Sequence, residues 1–415
     1  MRTLPLFALG FGACFGEGPI PSNPTEATVL YTAPSPSFEC NGAYVGSVAI
    51  GPDTDAYVVA QPFTTNQCGT SPPPVPLSVE VFQKAAKLDP VILGDAGKAD
   101  ASFATTLHAP RVSAVGIWAY EATGSDGLDL GIMVDPSLGL VQASTQRTFP
   151  AGIITDATSV FVAGWQAGGG RYGVDHPDYP CCGPVGPQNP DGGANTLTTI
   201  PIGGGSPTPL PVAPTYACES MSECLAANTS SLFYMEHAEP GHVAKITRFP
   251  KTGTAAAEQA MIGTVDAIGV NKVAPVGLVA SDSHVVWSVS TEYELQRSDD
   301  PVPPSLCIIT AYDLTTEVTT VLLSTTEFSC MHASLDTGFV YFAIVSIVGG
   351  HLHGDGIGRV AIAEQTFESL ALGIEGDSAG PRRVYVVDDS MYLVDPFTVV
   401  AVKKSALDGK QDFAR

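Results

Sequence analysis

The residues best equipped for chemistry in this chain lie in two Gly-rich segments. In His351-Leu352-His353-Gly354-Asp355 the ligand-capable side chains alternate along the chain. An extended backbone turns successive side chains to opposite sides, so His351, His353 and Asp355 would share one side, as ligands of a single metal ion must. Asp175-His176-Pro177-Asp178 would add further donors if its segment folds over the same mouth. Imidazole and carboxylate together suit a divalent cation, zinc or calcium. Trp165, Arg171 and Tyr172 border the second segment and form a ring-and-guanidinium set able to stack on a sugar or a peptide. Asp126-Gly127-Leu128-Asp129 lacks the spaced carboxylates of an EF-hand. Nucleophile motifs of the G-x-S-x-G kind and phosphate loops of the GxxxxGK[ST] kind are absent, and Gly168-Gly169-Gly170 is followed by no helical pattern.

The elements that must hold these residues are strands. Gly 43 and Pro 34 are abundant, and only 15% of residues are charged. Val, Ile, Thr and Tyr recur in short bursts between turn residues, and no sustained 3.6-residue apolar period points to a helical domain. A formal net charge of −23, spread along the chain, repels phosphate backbones and anionic headgroups, so nucleic acid is not an expected partner. No apolar run approaches the roughly 18–20 residues of a membrane-spanning helix.

A polar turn followed by an apolar strand recurs along the sequence. It reads Asp53-Thr54-Asp55-Ala56 before Tyr57-Val58-Val59, Asp156-Ala157-Thr158-Ser159 before Val160-Phe161-Val162, and Asn228-Thr229-Ser230-Ser231 before Leu232-Phe233-Tyr234. It returns at Ser281, Leu335 and Val387, so the last four copies start 53, 54 and 52 residues apart. The interval from Asp53 to Asp156 is 103, two such periods with a degenerate copy near Arg111, and the next is 72, one period plus an insertion. A period of about 40–55 residues made of strands and turns is that of one four-stranded propeller blade. The expected fold is all-β, a single seven-bladed β-propeller over residues 27–415, with six or eight blades also compatible. The last copy offers only three strands, and Ala27–Thr32 is an unassigned strand at the other terminus. Pairing the two would complete the last blade and close the ring without an exposed edge.

The copies resemble the plain repeats of extracellular bacterial propellers loosely akin to the YWTD and NHL groups, over about residues 27–409, without an Asp box or a Trp-docking motif. Residues 1–13 resemble a bacterial lipoprotein signal peptide: Arg2, a short apolar run and small residues precede Cys14, although Phe11 stands where that family's motif usually has Leu. The resemblance implies that Cys14 becomes the lipidated first residue, with the Gly/Pro/Ser-rich residues 14–26 as a flexible tether. A plain secretory signal is the alternative. Either implies an exported chain, lipid-anchored at the cell envelope or secreted, that meets a membrane only through its lipid.

Eight further cysteines, Cys40, Cys68, Cys181, Cys182, Cys218, Cys224, Cys307 and Cys330, are an even number in an exported chain and suggest disulfides. Plausible pairs are Cys40 with Cys68, Cys218 with Cys224, Cys307 with Cys330, and the vicinal Cys181 with Cys182. In a propeller the connections from second to third strand share one face with those between blades. The long insertions, Gln61 to Pro76, Ala122 to Leu128, Gln166 to Ala194, Thr291 to Ser305 and Val348 to Ile357, fall at the former. All eight cysteines map to this face. The expectation is a non-enzymatic binding or scaffold protein that recognises a protein, peptide or glycan there. A metal-dependent hydrolase or lyase at the axial mouth and a structural or assembly subunit are the alternatives.

Overall fold

The computed structural model of the chain describes residues 27–34, 42–51, 55–63, 76–83, 86–95, 106–112, 118–124, 127–133, 140–142, 148–156, 158–166, 195–201, 208–210, 225–235, 244–251, 260–265, 273–291, 305–348, 351–370 and 381–404. Antiparallel sheets follow one another along it, each built by consecutive strands. The first contains Gly42–Ile50, Ala56–Phe63 and Pro76–Gln83, edged by Ala86–Lys87 and Val91–Asp95. The second is Thr106–Val112, Trp118–Gly124, Gly127–Met133 and Leu140–Gln142; the third is Thr148–Thr155, Ser159–Gln166, Asn195–Pro201 and Thr208–Pro209. The fourth is Leu225–Ala227, Ser231–Met235, Ala244–Pro250 and Ala260–Val265; the fifth is Val273–Ala280, His284–Thr291, Cys307–Asp313 and Thr319–Thr325. The sixth is Ser329–Asp336, Phe339–Val348, His351–Ala361 and Phe367–Leu370. The last holds Arg383–Val387, Ser390–Val394 and Thr398–Lys403, and its outer edge is the N-terminal strand Ala27–Thr32, paired antiparallel to Thr398–Lys403.

This is an all-β propeller. Six of its sheets have the four strands of a blade, where seven such blades were expected, and the first departs by having five. The physical reason lies in Leu88-Asp89-Pro90. Ala86–Lys87 pairs with one end of Pro76–Gln83 and Val91–Asp95 with the other, and the break falls next to Pro90, which has no N–H to give a ladder.

Second strands read as nearly continuous apolar runs, such as Leu232-Phe233-Tyr234-Met235 and Val340-Tyr341-Phe342-Ala343, because neighbouring sheets cover both of their faces and all these residues are buried. Leading strands pack against the leading strand of the next sheet from the first sheet to the last, which places them innermost. Apolar clusters fill the seams. One joins Tyr31, Val394 and Val399 of the last sheet to Val45, Val58 and Phe82 of the first. Backbone bonds cross the same seam, from the Val45 N–H to the Pro396 carbonyl and from the Ala43 N–H to the Pro34 carbonyl.

Leading strands carry a bulge at one repeated place. The register against the second strand slips at Gly46, Ala151, Val276 and His332, each followed by a small residue, Ser47, Gly152, Gly277 or Ala333. The smallness has a steric cause at Gly277, where a Cβ would lie 2.7 Å from the Ala333 nitrogen and 2.9 Å from Ser288 Oγ. At Ser47 the hydroxyl instead accepts the Val112 N–H of the next sheet.

The recurrent polar motif forms the turn from first to second strand. Asp156 Oδ1 accepts the N–H groups of Thr158 and Ser159, Asn228 Oδ1 those of Ser230 and Ser231, and Ser281 Oγ those of Ser283 and His284. The two shortest copies use left-handed residues instead, Gly338 at φ 81° and Asp388 at φ 51°. These turns also grip the next sheet. Lys251 Nζ lies 2.9 Å from Asp156 Oδ2, Lys404 Nζ 2.6 Å from Asp336 Oδ2, and Thr229 donates to Asp282 from both its N–H and its hydroxyl. This face of the propeller is occupied with holding sheets together.

Two outcomes follow. Gly277→Ala is expected to lower the unfolding free energy by about 1–3 kcal/mol, the usual cost of overpacking, as read from urea denaturation. At Asp156, burial acts to raise the carboxyl pKa, but donation from Thr158, Lys251 and Ser159 outweighs it and brings it from 3.8 down to about 2. A carboxyl depressed in the folded state stabilises the protein above its unfolded pKa, and that contribution is lost as the pH falls through about 2. Asp156→Asn should therefore lower the melting temperature at neutral pH and flatten its decline between pH 3.8 and about 2 in a calorimetric series.

Candidate binding face and axial cluster

The opposite face carries the connections from second to third strands. Those of the first, third, fourth and fifth sheets lie mostly or wholly outside the described residues, and with them Arg171, Tyr172, Asp175 and His176. Trp165 sits near the end of the second strand of the third sheet, with Phe149 and Asn195 beside it in register; its side chain is outside the described part. Cys14, Cys40, Cys68, Cys181, Cys182, Cys218 and Cys224 also lie outside it.

Two supposed insertions are strands. Ala122 to Leu128 is a tight hairpin in which Gly124 pairs with Gly127. Val348 to Ile357 is the tip of a long hairpin, and Val348 pairs with His351 across Gly349-Gly350. Glycine density suggested a loop, yet Gly354, Gly356 and Gly358 are absorbed into pairing with Val345, Ile344 and Phe342. Asp355 is the unpaired residue of a bulge between Gly354 and Gly356, which interrupts the alternation that would align it with His353. His353 is half-buried opposite Ser346, Asp355 is exposed, and the His351 side chain is outside the described part. Among the described residues no group of three His, Cys, Asp or Glu side chains is placed to hold a metal ion.

Cys307 and Cys330 form a disulfide with Cα atoms 5.2 Å apart, one of the pairings read from the sequence. Cys307 begins the third strand of the fifth sheet and Cys330 lies near the start of the leading strand of the sixth, so the bond clamps two blades beneath this face. Both cysteines are fully buried. Ser290 Oγ accepts the Cys330 N–H and donates to the Leu306 carbonyl, and Ser329 Oγ accepts the Leu306 N–H.

A polar cluster that motif reading missed lies where the leading strands of the sixth and last sheets meet. His332 is the bulge residue of Ser329–Asp336, held at φ 51°, a left-handed conformation uncommon for a side chain of this size. Its ring centroid is 4.5 Å from that of Tyr385, and its Nδ1 accepts the Val384 N–H at 3.4 Å. Arg383 opens the leading strand of the last sheet and directs Nη1 to the Gly46 carbonyl of the first, 3.5 Å away.

Beside it, the Arg382 N–H bonds the Val394 carbonyl, at the end of the sheet where Asp395-Pro396-Phe397 links second strand to third. The cluster thus faces the same side as the long connections. Asp395 is buried and accepts the N–H groups of Phe397 and Thr398 and the Thr398 hydroxyl. Burial pushes its carboxyl up, against those donors and the charge of Arg382. Burial likewise draws the Arg382 guanidinium down, with Asp395 opposing and Arg383 adding to the shift. The arrangement can recognise charge and hydrogen-bonding groups; its left-handed histidine could be found from sequence only by aligning the copies at their spacing near 53 residues.

No family model and no curated protein matches the chain. Among solved structures it is similar to an oligogalacturonate lyase from Vibrio parahaemolyticus, with 9% identity, TM-score 0.46, and 94% of this chain and 97% of that one covered. It is similar to a Pyrococcus horikoshii acylaminoacyl peptidase at 10% identity and TM-score 0.49, covering 88% of this chain and 51% of that one. A nidogen/laminin complex gives 10% identity and TM-score 0.39, with 70% and 87% covered. At such identities the likeness is one of fold and says nothing of activity.

Replacing Cys307 and Cys330 together by Ala is expected to cost about 3 kcal/mol of unfolding free energy, given a loop of this length. Guanidinium titration of the oxidised parent and the double variant reads it, and equal midpoints would show the clamp to be dispensable.

Proposed function

We propose that this chain is an exported, non-enzymatic binding or scaffold propeller that recognises a protein, peptide or glycan through the face bearing its long second-to-third connections. One observation carries the reading: the two faces differ in what their connections do. On one, the described turns close by hydrogen bonds to their own backbone and by ion pairs to the next blade. On the other, connections such as 167–194 and 292–304 far exceed what joining two paired strands requires. Long connections on a rigid scaffold are where binding surfaces are built.

The same reading takes the propeller as a closed ring of seven blades, with Ala86–Lys87 and Val91–Asp95 together as the broken outer strand of the first. The cluster shared by the first and last sheets and the pairing of Ala27–Thr32 with Thr398–Lys403 support it. Export with a lipid on Cys14 fits the disulfide, which an oxidising compartment would preserve.

The test compares the chain with a variant in which residues 168–190 are replaced by a short Gly-Ser linker, both fluorescently labelled, on glycan and peptide arrays. The parent is expected to give reproducible signals that the variant loses by at least tenfold while keeping its melting temperature. Equal binding by the two, or none by the parent, overturns the assignment.

A further inference from the structure

The leading strands ring the propeller axis, and their charge runs against that of the chain. Among the described residues only Asp336, of 42 acidic residues in the chain, lies on a leading strand, and Lys404 occupies its carboxylate. The basic residues there are Arg111, on the second sheet's leading strand, and Arg383, with Arg382 directly before it; His108 and His332 are the two histidines.

Two of these arginines, Arg382 and Arg383, stand together at the start of the last sheet. Arg382 has Asp395 as its counter-charge. Arg383 is half-buried, and among the described residues it is paired with no carboxylate, only with the Gly46 carbonyl at the long distance of 3.5 Å. A guanidinium drawn partly out of water is stabilised by an anion, and its fork matches two oxygens of one carboxylate or phosphate. Tyr385, two residues further along the same strand, is in ring contact with His332 of the sixth sheet, whose Nδ1 accepts the Val384 N–H.

We propose that this axial cluster is a binding site for a small oxyanion, a carboxylate or a phosphate group, held by the fork of Arg383 against His332 and Tyr385. The proposal rests on the closed-ring reading above and deepens it, since a carboxylate- or phosphate-bearing end of the ligand would seat here while the long connections hold the rest. Because a net charge of −23 repels anions in general, saturable anion binding would report a site and not a diffuse atmosphere.

The experiment titrates the full chain with citrate and, separately, with inorganic phosphate at constant ionic strength, following calorimetric heats and melting temperature. One of the two is expected to bind saturably at one site per chain and to raise the melting temperature, and which one does separates a carboxylate source from a phosphate source. Arg383→Gln should weaken binding at least tenfold. Arg383→Lys, which keeps the charge and loses the fork, guards against a folding defect and should also weaken it. Arg359→Gln, which removes a guanidinium paired with Glu368 on the outer part of the sixth sheet, should bind as the parent does. No saturable binding of either anion, or parental binding by a folded Arg383 variant, overturns the proposal. If oxyanion binding fails while array binding persists, only this inference falls; if array binding fails while the oxyanion still binds, the broader assignment falls instead.

Discussion

A four-stranded sheet exposes two apolar faces and can cover neither by itself, so every blade depends on how closely its neighbours approach. The approach is close along the leading strands, where the Ala333 backbone nitrogen stands so near Gly277 that a single added carbon would meet it at 2.7 Å. The bulge at that level adds local twist to the four strands that carry it at Gly46, Ala151, Val276 and His332, and at Gly277 the small residue after it lets the next backbone come in. Seams then fill with the apolar residues of second strands, and the rest of the chain is arranged around that contact.

At the rim of the seams the same turn position solves one problem in two ways. The residue after the third strand bonds its N–H back to the first turn of its own sheet in four sheets, as Lys251, Leu314, Ile362 and Lys404. In two of them it is Lys and reaches the preceding sheet's Asp156 or Asp336. In the other two it is aliphatic and packs against the shared apolar clusters. An exposed ion pair contributes little by itself, but Lys251 is mostly buried and sits over the Phe161 ring, 5.4 Å from its centroid, so charge and packing act together there.

Rigidity on one side gives freedom on the other. With first-to-second turns committed to the seams, second-to-third connections can lengthen without disturbing the ladder, and the disulfide between Cys307 and Cys330 fastens the blade from which one of them springs to its neighbour. The axial cluster occupies the junction of these regimes. His332 owes its left-handed backbone to the seam-forming bulge, and that same bulge turns it toward Tyr385 and the strand that Arg383 opens.

Much of this was legible in residue order, for reasons that are local. A turn of Asp, Asn or Ser before an apolar run marks the recurring strand, and its spacing near 53 residues sets the unit, so the propeller and the pairing of Ala27–Thr32 with the last sheet could be read directly, while six sheets and not seven have the four strands of a blade. Cys307 and Cys330 were pairable because both fall at strand starts on one face. Glycine misled at Val348 to Ile357, since a residue that permits a turn does not require one, and the neighbouring strand pulled it into a ladder and left Asp355 in a bulge. The fifth strand of the first sheet followed from Pro90, whose missing N–H matters only once its partner strand is known. The association of His332, Arg383, Tyr385 and Asp395 was decided by tertiary structure alone. It joins residues up to 63 positions apart through bulge geometry and the contact of neighbouring sheets, neither of which leaves a period in the chain.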